Sequence, residues 1–361
     1  MEDSAAAATA TATATGTAAA GTGTGTGSTT DSDFQQARSR SQSSSRLPST
    51  PQSPAFPPPP NPNQKTVVIK LGTSSILSES THLPKLAILS SIVEVCHDLR
   101  SHGHRVVLVC SGAIGMGRLR MGITSKPKAV PDRQALAALG QLRLMALWDS
   151  LFSNLGLMVA QVLLTRADIA DETRYRNARA TFSALLSDRY SAIPIVNEND
   201  TVAVDELRFG DNDKLSAITA ELVDADYLFL CTDVDGLYTS NPTKDPSAKR
   251  LDIVSDVSQI RKSVQVATMG SDFGTGGMQT KLDAAELAHA AGVATCILNG
   301  STPTNILKIV YAAPTPAELA TIDRASLPAH TFFLPRPRGL SDECRRSVMQ
   351  ALHGTSTPPW V

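Results

Sequence analysis

The chain has 361 residues, and its 33 basic and 34 acidic side chains nearly cancel, so no overall field favours nucleic acid or an anionic membrane and a small-molecule partner is expected. Its five cysteines are scattered, odd in number and without CxxC spacing, which excludes a disulfide framework and points to buried thiols in a reducing compartment. No apolar run approaches the roughly 20 residues that span a bilayer, and no basic region precedes an apolar one at the N-terminus, so a soluble, cytoplasmic protein is expected.

Residues 1–27 are almost entirely Ala, Thr and Gly, and residues 28–64 turn to Ser, Gln and Pro, ending in PPPPNPN. Such a segment cannot bury a core, and a disordered low-complexity arm is expected over 1–64. From Lys65 the texture changes. TVVIKLG is a β-branched run of strand length that delivers Lys70 to a Gly/Ser turn, KLGTSS. That arrangement suits a phosphate contact, although taken alone Lys70 reads as an edge-strand lysine kept in solvent. Apolar positions at helical spacing follow over 83–101 and lead to a second strand, RVVLVC, so a βαβ unit and a parallel sheet are predicted.

The second strand runs into SGAIGMG, Ser111 to Gly117. Its glycines would let a ligand approach the backbone, and Ser111 offers a hydroxyl to an anion; the plainer alternative is a tight strand-to-helix turn. PDRQALAALGQLRLMALWDSLF is a predicted helix with Asp132 near its start, and its leucine stripe (Leu136, Leu139, Leu142, Leu144, Leu147) belongs to a core or a subunit interface. VAQVLLT is the third strand. Asp171 caps the helix after it, whose Arg174, Arg176 and Arg179 are expected on a solvated face.

AIPIV then spills into NENDTVAVDELRFGDND, where TVAVDELRF reads as a hairpin over the sheet edge and GDND opens a helix. Asp200, Asp211 and Asp213 with Asn197, Asn199 and Asn212 exceed the needs of a helix cap. So much like charge calls for a cationic partner. YLFLCTDVDGLYTSNP is a buried strand ending in Thr232 and Asp233; its DxDG loop suits nucleotide contact and turn chemistry about equally. In GTGGMQTK, glycines lead into a helix that begins with Thr280 and Lys281, which suits a phosphate cradle although no P-loop occurs. VATCILNG is the last predicted strand, again parallel.

In a doubly wound sheet the C-terminal strand ends share one edge, so the lysines and the acidic cluster would face each other. The six segments KLGTSS, SGAIGMG, NENDTV, FGDNDKLSA, TDVDGLYTSNP and GTGGMQTK resemble, in order, the amino acid kinase superfamily, and the NENDTV and FGDND pair is similar to the glutamate 5-kinase family within it. The similarity runs from about Thr66 to Gly300. The resemblance implies an αβα sandwich with a mainly parallel central sheet, a kinase domain over 65–326, and ATP-dependent phosphorylation of the γ-carboxylate of L-glutamate at the head of proline biosynthesis. It also implies proline as feedback inhibitor and a homo-oligomer.

Carried over residue by residue, it assigns Lys70, Lys281 and Asp213 to catalysis, with Asp213 holding the two lysines. Ser111, Asp200 and Asn212 fall to glutamate. Lys70, Thr232, Asp233, Thr275, Gly276, Gly277, Met278, Gln279, Thr280 and Lys281 fall to ATP. Asp211 stands beside the substrate amine or Mg²⁺, and Mg²⁺ is expected on the ATP phosphates with no dedicated protein ligands. Many bacterial and fungal relatives continue into an RNA-binding-like PUA domain, which the tail 327–361 is too short to build. Kinases of acetylglutamate, aspartate or carbamate, and a nucleotide- or amino-acid-binding regulatory protein without catalysis, are the alternatives.

Overall fold

The computed structural model describes residues 63–337 except 79, 126, 204–211, 241, 243–244, 258 and 261–276. The expected arm before residue 63, most of the expected hairpin, Asp211, Thr275, Gly276 and the tail beyond 337 lie outside the described residues.

Eight strands form one sheet: β1 (Thr66–Leu71), β2 (Arg105–Cys110), β3 (Val159–Leu164), β4 (Ile193–Glu198), β5 (Tyr227–Thr232), β6 (Ile253–Val254), β7 (Ala294–Asn299) and β8 (His330–Phe333). Their order across the sheet is β3-β4-β2-β1-β5-β7-β8-β6. All neighbours pair in parallel except β7 and β8. The parallel crossovers are made by helices α2 (Leu86–Ser101), α3 (Ala113–Met121), α4 (Val130–Ser153), α6 (Glu172–Leu185), α7 (Asn212–Leu222) and α8 (Met278–Ala290). Short helices α1 (Thr73–Ile76), α5 (Arg166–Ala170), α9 (Asn305–Val310) and α10 (Pro316–Leu319) and a 3-10 turn (Arg324–Ser326) complete the described set.

Strand parity sorts the core into two layers. Val67, Ile69 and Leu71 of β1, with Leu108, Phe229 and Cys296 at matching positions, pack against α2, α4 and α9. Val68, with Val107, Val109, Leu228 and Leu230, packs against α6, α7 and α8. This is the αβα sandwich expected from sequence. Burial of such side chains on both faces, at roughly 1.5–3 kcal/mol each, is why the central strands read as unbroken apolar runs.

The sequence reading differs from the structure at the C-terminal side. VATCILNG is parallel to β5 as expected, but regular structure continues past it: α9 and α10 lead to β8, which returns antiparallel to β7 and carries the buried pair Phe332 and Phe333. Only four residues long and preceded by Pro328, β8 gave no periodic signal. The helix over 83–101 is α2, and Asp171 caps α6 by accepting from the Arg174 N–H. Arg174 and Arg176 pair on the surface with Asp168 and Glu172, and Arg179 with Asp224. Cys96, Cys110, Cys231 and Cys296 are free and buried, and burial pushes the Cys110 and Cys231 thiols up to about 12.

Candidate active site

Strand alternation decides where Lys70 goes. It is an even-numbered residue of β1, so it shares a face with Val68 and points to the layer of α7 and α8. The expectation of an edge-strand lysine in solvent is therefore corrected: β1 lies between β2 and β5, and Lys70 is 5% exposed. Its ammonium stands 2.5 Å from Asp213 Oδ1. Lys281, in the first turn of α8, places its Nζ 3.3 Å from Asp213 Oδ2. The Thr280 hydroxyl lies 2.8 Å from the same Oδ2 and 2.8 Å from the Gly277 carbonyl, tying the start of α8 to the start of α7. Lys214 and Asp283 join the two helices a second time at 2.9 Å.

Burial alone would raise the Asp213 carboxyl, yet Lys70 and Lys281 outweigh it and hold the group down at about 2. Asp213 is therefore ionised at any physiological pH. Among the described residues, two ammonium groups against one carboxylate leave one positive charge in a buried site. An anionic ligand would compensate it. Gly72 follows Lys70 closely, and a Cβ there would sit 3.7 Å from the Lys70 Nζ, so glycine keeps the ammonium approachable.

Beside the triad lies a cluster of amides. Asn212, the first residue of α7, directs its Nδ2 to the Cys110 carbonyl at 3.2 Å, Ser111 Oγ at 2.9 Å and Asn197 Oδ1 at 2.8 Å. The ends of β2 and β4 thus meet at the start of α7. Asp200 is half-buried in the turn after β4, where the Ala203 N–H donates to the Asn199 carbonyl. So the structure brings Lys70, Lys281 and Asp213 together, and Ser111 together with Asn212.

The glycines of SGAIGMG divide between the turn and the packing of helices. Gly112 alone serves the turn, in the left-handed region at φ 107°. Gly117 lies inside α3 and Gly140 inside α4, where an added Cβ would overlap the Leu136 carbonyl or the Ala113 carbonyl respectively. They let two helices cross in backbone contact. Of the α4 leucine stripe, Leu136 and Leu144 are buried, while Leu139 and Leu142 face outward.

On the other side of β1, Thr232 ends β5 and Asp233 follows it; the Thr232 hydroxyl donates to Asp233 Oδ1 at 2.9 Å, and the Gly300 N–H donates to the Thr232 carbonyl at 2.7 Å. Asp235 of the DxDG loop accepts from the Tyr238 hydroxyl at 2.8 Å and from Arg250 at 3.1 Å, so this carboxylate builds the turn. Gly277 is the N-cap of α8, and Met278, Gln279, Thr280 and Lys281 form its first turn. Among the described residues, no group of three or more His, Cys, Asp or Glu side chains is arranged to hold a metal ion.

Residues 65–299 match the model of the amino acid kinase family. The chain belongs to the amino acid kinase family. Within this family it is 49% identical over 274 residues to a probable glutamate 5-kinase of Schizosaccharomyces pombe, which covers 76% of this chain and 66% of that protein. It is 47% identical over 281 residues to the glutamate 5-kinase of Nostoc punctiforme, covering 75% and 76%. A Synechococcus glutamate 5-kinase is 52% identical over 251 residues, with 69% and 66% covered. The chain thus spans about two thirds of the length of two of these three relatives. Among solved structures, a carbamate kinase from Giardia lamblia bound to AMP-PNP superposes with a TM-score of 0.51 at 15% identity, covering 76% of this chain and all of that one. An isopentenyl phosphate kinase substrate complex superposes with a TM-score of 0.50 at 17% identity, covering 74% and 99%. At such identities these two show a common amino acid kinase fold and nothing finer.

Sequence reasoning about this amino acid kinase left Asn197 without a role and passed over Gln141. NENDTV marked Asn197 as one of several amides but could not tell which one Asn212 touches. Gln141 lies 56 residues from Asn197 in the middle of a helix, and nothing local marks it. Thr280, expected on nucleotide, also bonds Asp213.

Proposed function

We propose that this chain is a glutamate 5-kinase, which transfers the γ-phosphoryl group of MgATP to the γ-carboxylate of L-glutamate and releases ADP and L-glutamyl 5-phosphate, the first step of proline biosynthesis. The observation that carries the proposal is the buried triad of Lys70, Asp213 and Lys281, two ammonium groups on one carboxylate, beside the Ser111 and Asn212 cluster. The similarity to proteins named glutamate 5-kinase supports the choice of acceptor.

The chemistry demands what these residues offer. A glutamate γ-carboxylate, with a reference pKa near 4.3, is ionised at neutral pH and needs no general base. The obstacle is repulsion, since unit charges about 4 Å apart interact by roughly 4 kcal/mol at an effective dielectric near 20. Lys70 and Lys281 offset that repulsion and gain most as charge spreads over the transferring phosphoryl group. Asp213 holds both ammonium groups still, so little reorganisation accompanies transfer. Because Asp213 is committed to two lysines and Thr280, Mg²⁺ enters with the nucleotide as part of the substrate.

Under this proposal Ser111, Asp200 and Asn212 bind glutamate. Lys70, Thr232, Asp233 and the segment from Thr275 to Lys281 bind ATP, and residues 65–326 form the kinase unit. Feedback inhibition by proline, homo-oligomerisation and a cytoplasmic location belong to the same proposal. A coupled ADP-release assay with hydroxylamine trapping of the acyl phosphate tests it. Glutamate is expected to be the preferred acceptor over acetylglutamate, aspartate and carbamate. Preference for one of those would replace the substrate, and binding of ATP and glutamate without ADP release would favour a regulatory protein.

A further inference from the structure

Two backbone groups show which way the amides around Asn212 point, and a third partner, Gln141, holds Asn197 from its other end. The Cys110 carbonyl can only accept, so the Asn212 atom 3.2 Å from it is Nδ2. That Nδ2 is 2.8 Å from the Asn197 side chain, which must present its Oδ1. The Glu198 N–H can only donate, and it lies 2.9 Å from the same Oδ1, fixing the orientation from a second side. Asn197 is left to donate through its own Nδ2, and its partner at 2.9 Å is Gln141 Oε1. The Gln141 amide NH₂ then turns outward to Gln161 Oε1, 3.3 Å away on the edge strand β3. Helix α4 reaches Asn197 because Gly140, next to Gln141, seats it against the backbone of α3.

The polarity of this chain reaches the substrate side. The two Nδ2 hydrogens of Asn212 are shared among the Cys110 carbonyl, Ser111 Oγ and Asn197 Oδ1, and its Oδ1 has no protein donor among the described residues. Asn212 therefore offers a ligand an acceptor only. Ser111 Oγ already accepts from Asn212 and keeps its O–H to donate. An ammonium brings three donors and no acceptor, and a carboxylate the reverse.

We propose that Gln141 is a positioning residue: by accepting from Asn197 it locks Asn197 and Asn212 in the orientation that turns the Asn212 carbonyl to the α-ammonium of an amino acid acceptor. Ser111 is thereby reserved for a carboxylate. The assignment rests on the glutamate reading above and adds a source for its selectivity.

Gln141→Glu keeps an acceptor opposite Asn197. Gln141→Lys offers donors alone and turns the Asn197 amide over, setting its NH₂ against that of Asn212. Gln141→Met removes the acceptor without adding charge and serves if the lysine variant does not fold. The full chain and these variants are compared for the glutamate KM and kcat, for the inhibition constant of glutarate, which has both carboxylates and no ammonium, and for thermal midpoint. A hydrogen bond to a charged group is worth enough that Gln141→Lys should raise the glutamate KM about tenfold, and Gln141→Met about threefold. The kcat and the glutarate constant stay within about twofold, and Gln141→Glu remains near wild type throughout. Equal losses for glutamate and glutarate, or a Gln141→Glu enzyme as impaired as Gln141→Lys, overturn the proposal. A wild type that does not phosphorylate glutamate overturns the underlying reading as well, whereas an active wild type with an unselective Gln141→Lys overturns the role of Gln141 alone.

Discussion

Asp213 Oδ1 lies 2.5 Å from the Lys70 ammonium, and Asp213 is fully buried while Lys70 is 5% exposed. Lys281 meets the other oxygen of the same carboxylate at 3.3 Å. One side chain thus aligns two cations that come from opposite ends of the kinase unit, one from a central strand and one from the first turn of a helix.

That alignment makes the two lysines separable from glutamate binding. Lys281→Ala should lower kcat by about 10²-fold with a modest change in the glutamate KM, because it removes charge where charge develops in the transition state. Asp200→Ala should chiefly raise the glutamate KM. Steady-state kinetics with ATP and glutamate varied separately check both, and unchanged turnover in Lys281→Ala would remove that residue from the mechanism.

The depressed Asp213 carboxyl also sets an acid limit. Its value falls from 3.8 to about 2 on folding, so its stabilisation is fully present above pH 3.8 and is lost as pH drops toward 2. Roughly 2 kcal/mol is at stake. Denaturant unfolding at pH 5 and pH 2.5 should show wild type losing more stability than Asp213→Asn over that interval.

Glu221 acts in the opposite sense. Burial raises its carboxyl to about 7, against the lowering pull of Tyr175, whose hydroxyl donates to Oε1 at 2.6 Å, and of Arg179. The folded state therefore holds a proton that the unfolded state has released, and stability falls as pH rises from 4.5 to about 7. Glu221→Gln should flatten the thermal midpoint across this window and stabilise the protein at pH 8. A slope equal to that of wild type would refute the assignment.

The glycine crossing predicts a purely steric loss. Gly140→Ala or Gly117→Ala drives a methyl group into backbone of the facing helix, which a rotamer change cannot relieve. Either should cost about 3 kcal/mol or more by denaturant titration. Gly122→Ala, with nothing near its position, should cost only the strain of its φ of 67°.

The βαβ units and the polar cluster at the strand ends were legible because each announces itself locally. Unbroken apolar runs gave β1, β2 and β5, and clustered acids and amides at a strand end marked the segments of Asn212 and Asp213, which the structure sets beside Ser111 and Lys70. The burial of Lys70 was not legible from its strand, since strand order is decided by pairings far apart in sequence, such as Lys70 with Val109 and Leu230. The roles of Gly117, Gly140 and Gln141 were hidden for the same reason. A glycine in a helix looks alike whether it meets water or another backbone, and a glutamine in a helix looks alike whether it faces solvent or orients an asparagine. β8 was missed because it is short and pairs with strands rather than declaring a pattern of its own.

The most direct measurement is the yield of hydroxylamine-trapped glutamyl phosphate against ADP in wild type and Asp213→Asn, with folding followed by circular dichroism. Equal amounts of hydroxamate and ADP from wild type, and a rate about 10²-fold lower from a folded Asp213→Asn, are predicted. No glutamate-dependent ADP from wild type, or full turnover by Asp213→Asn, would contradict the account.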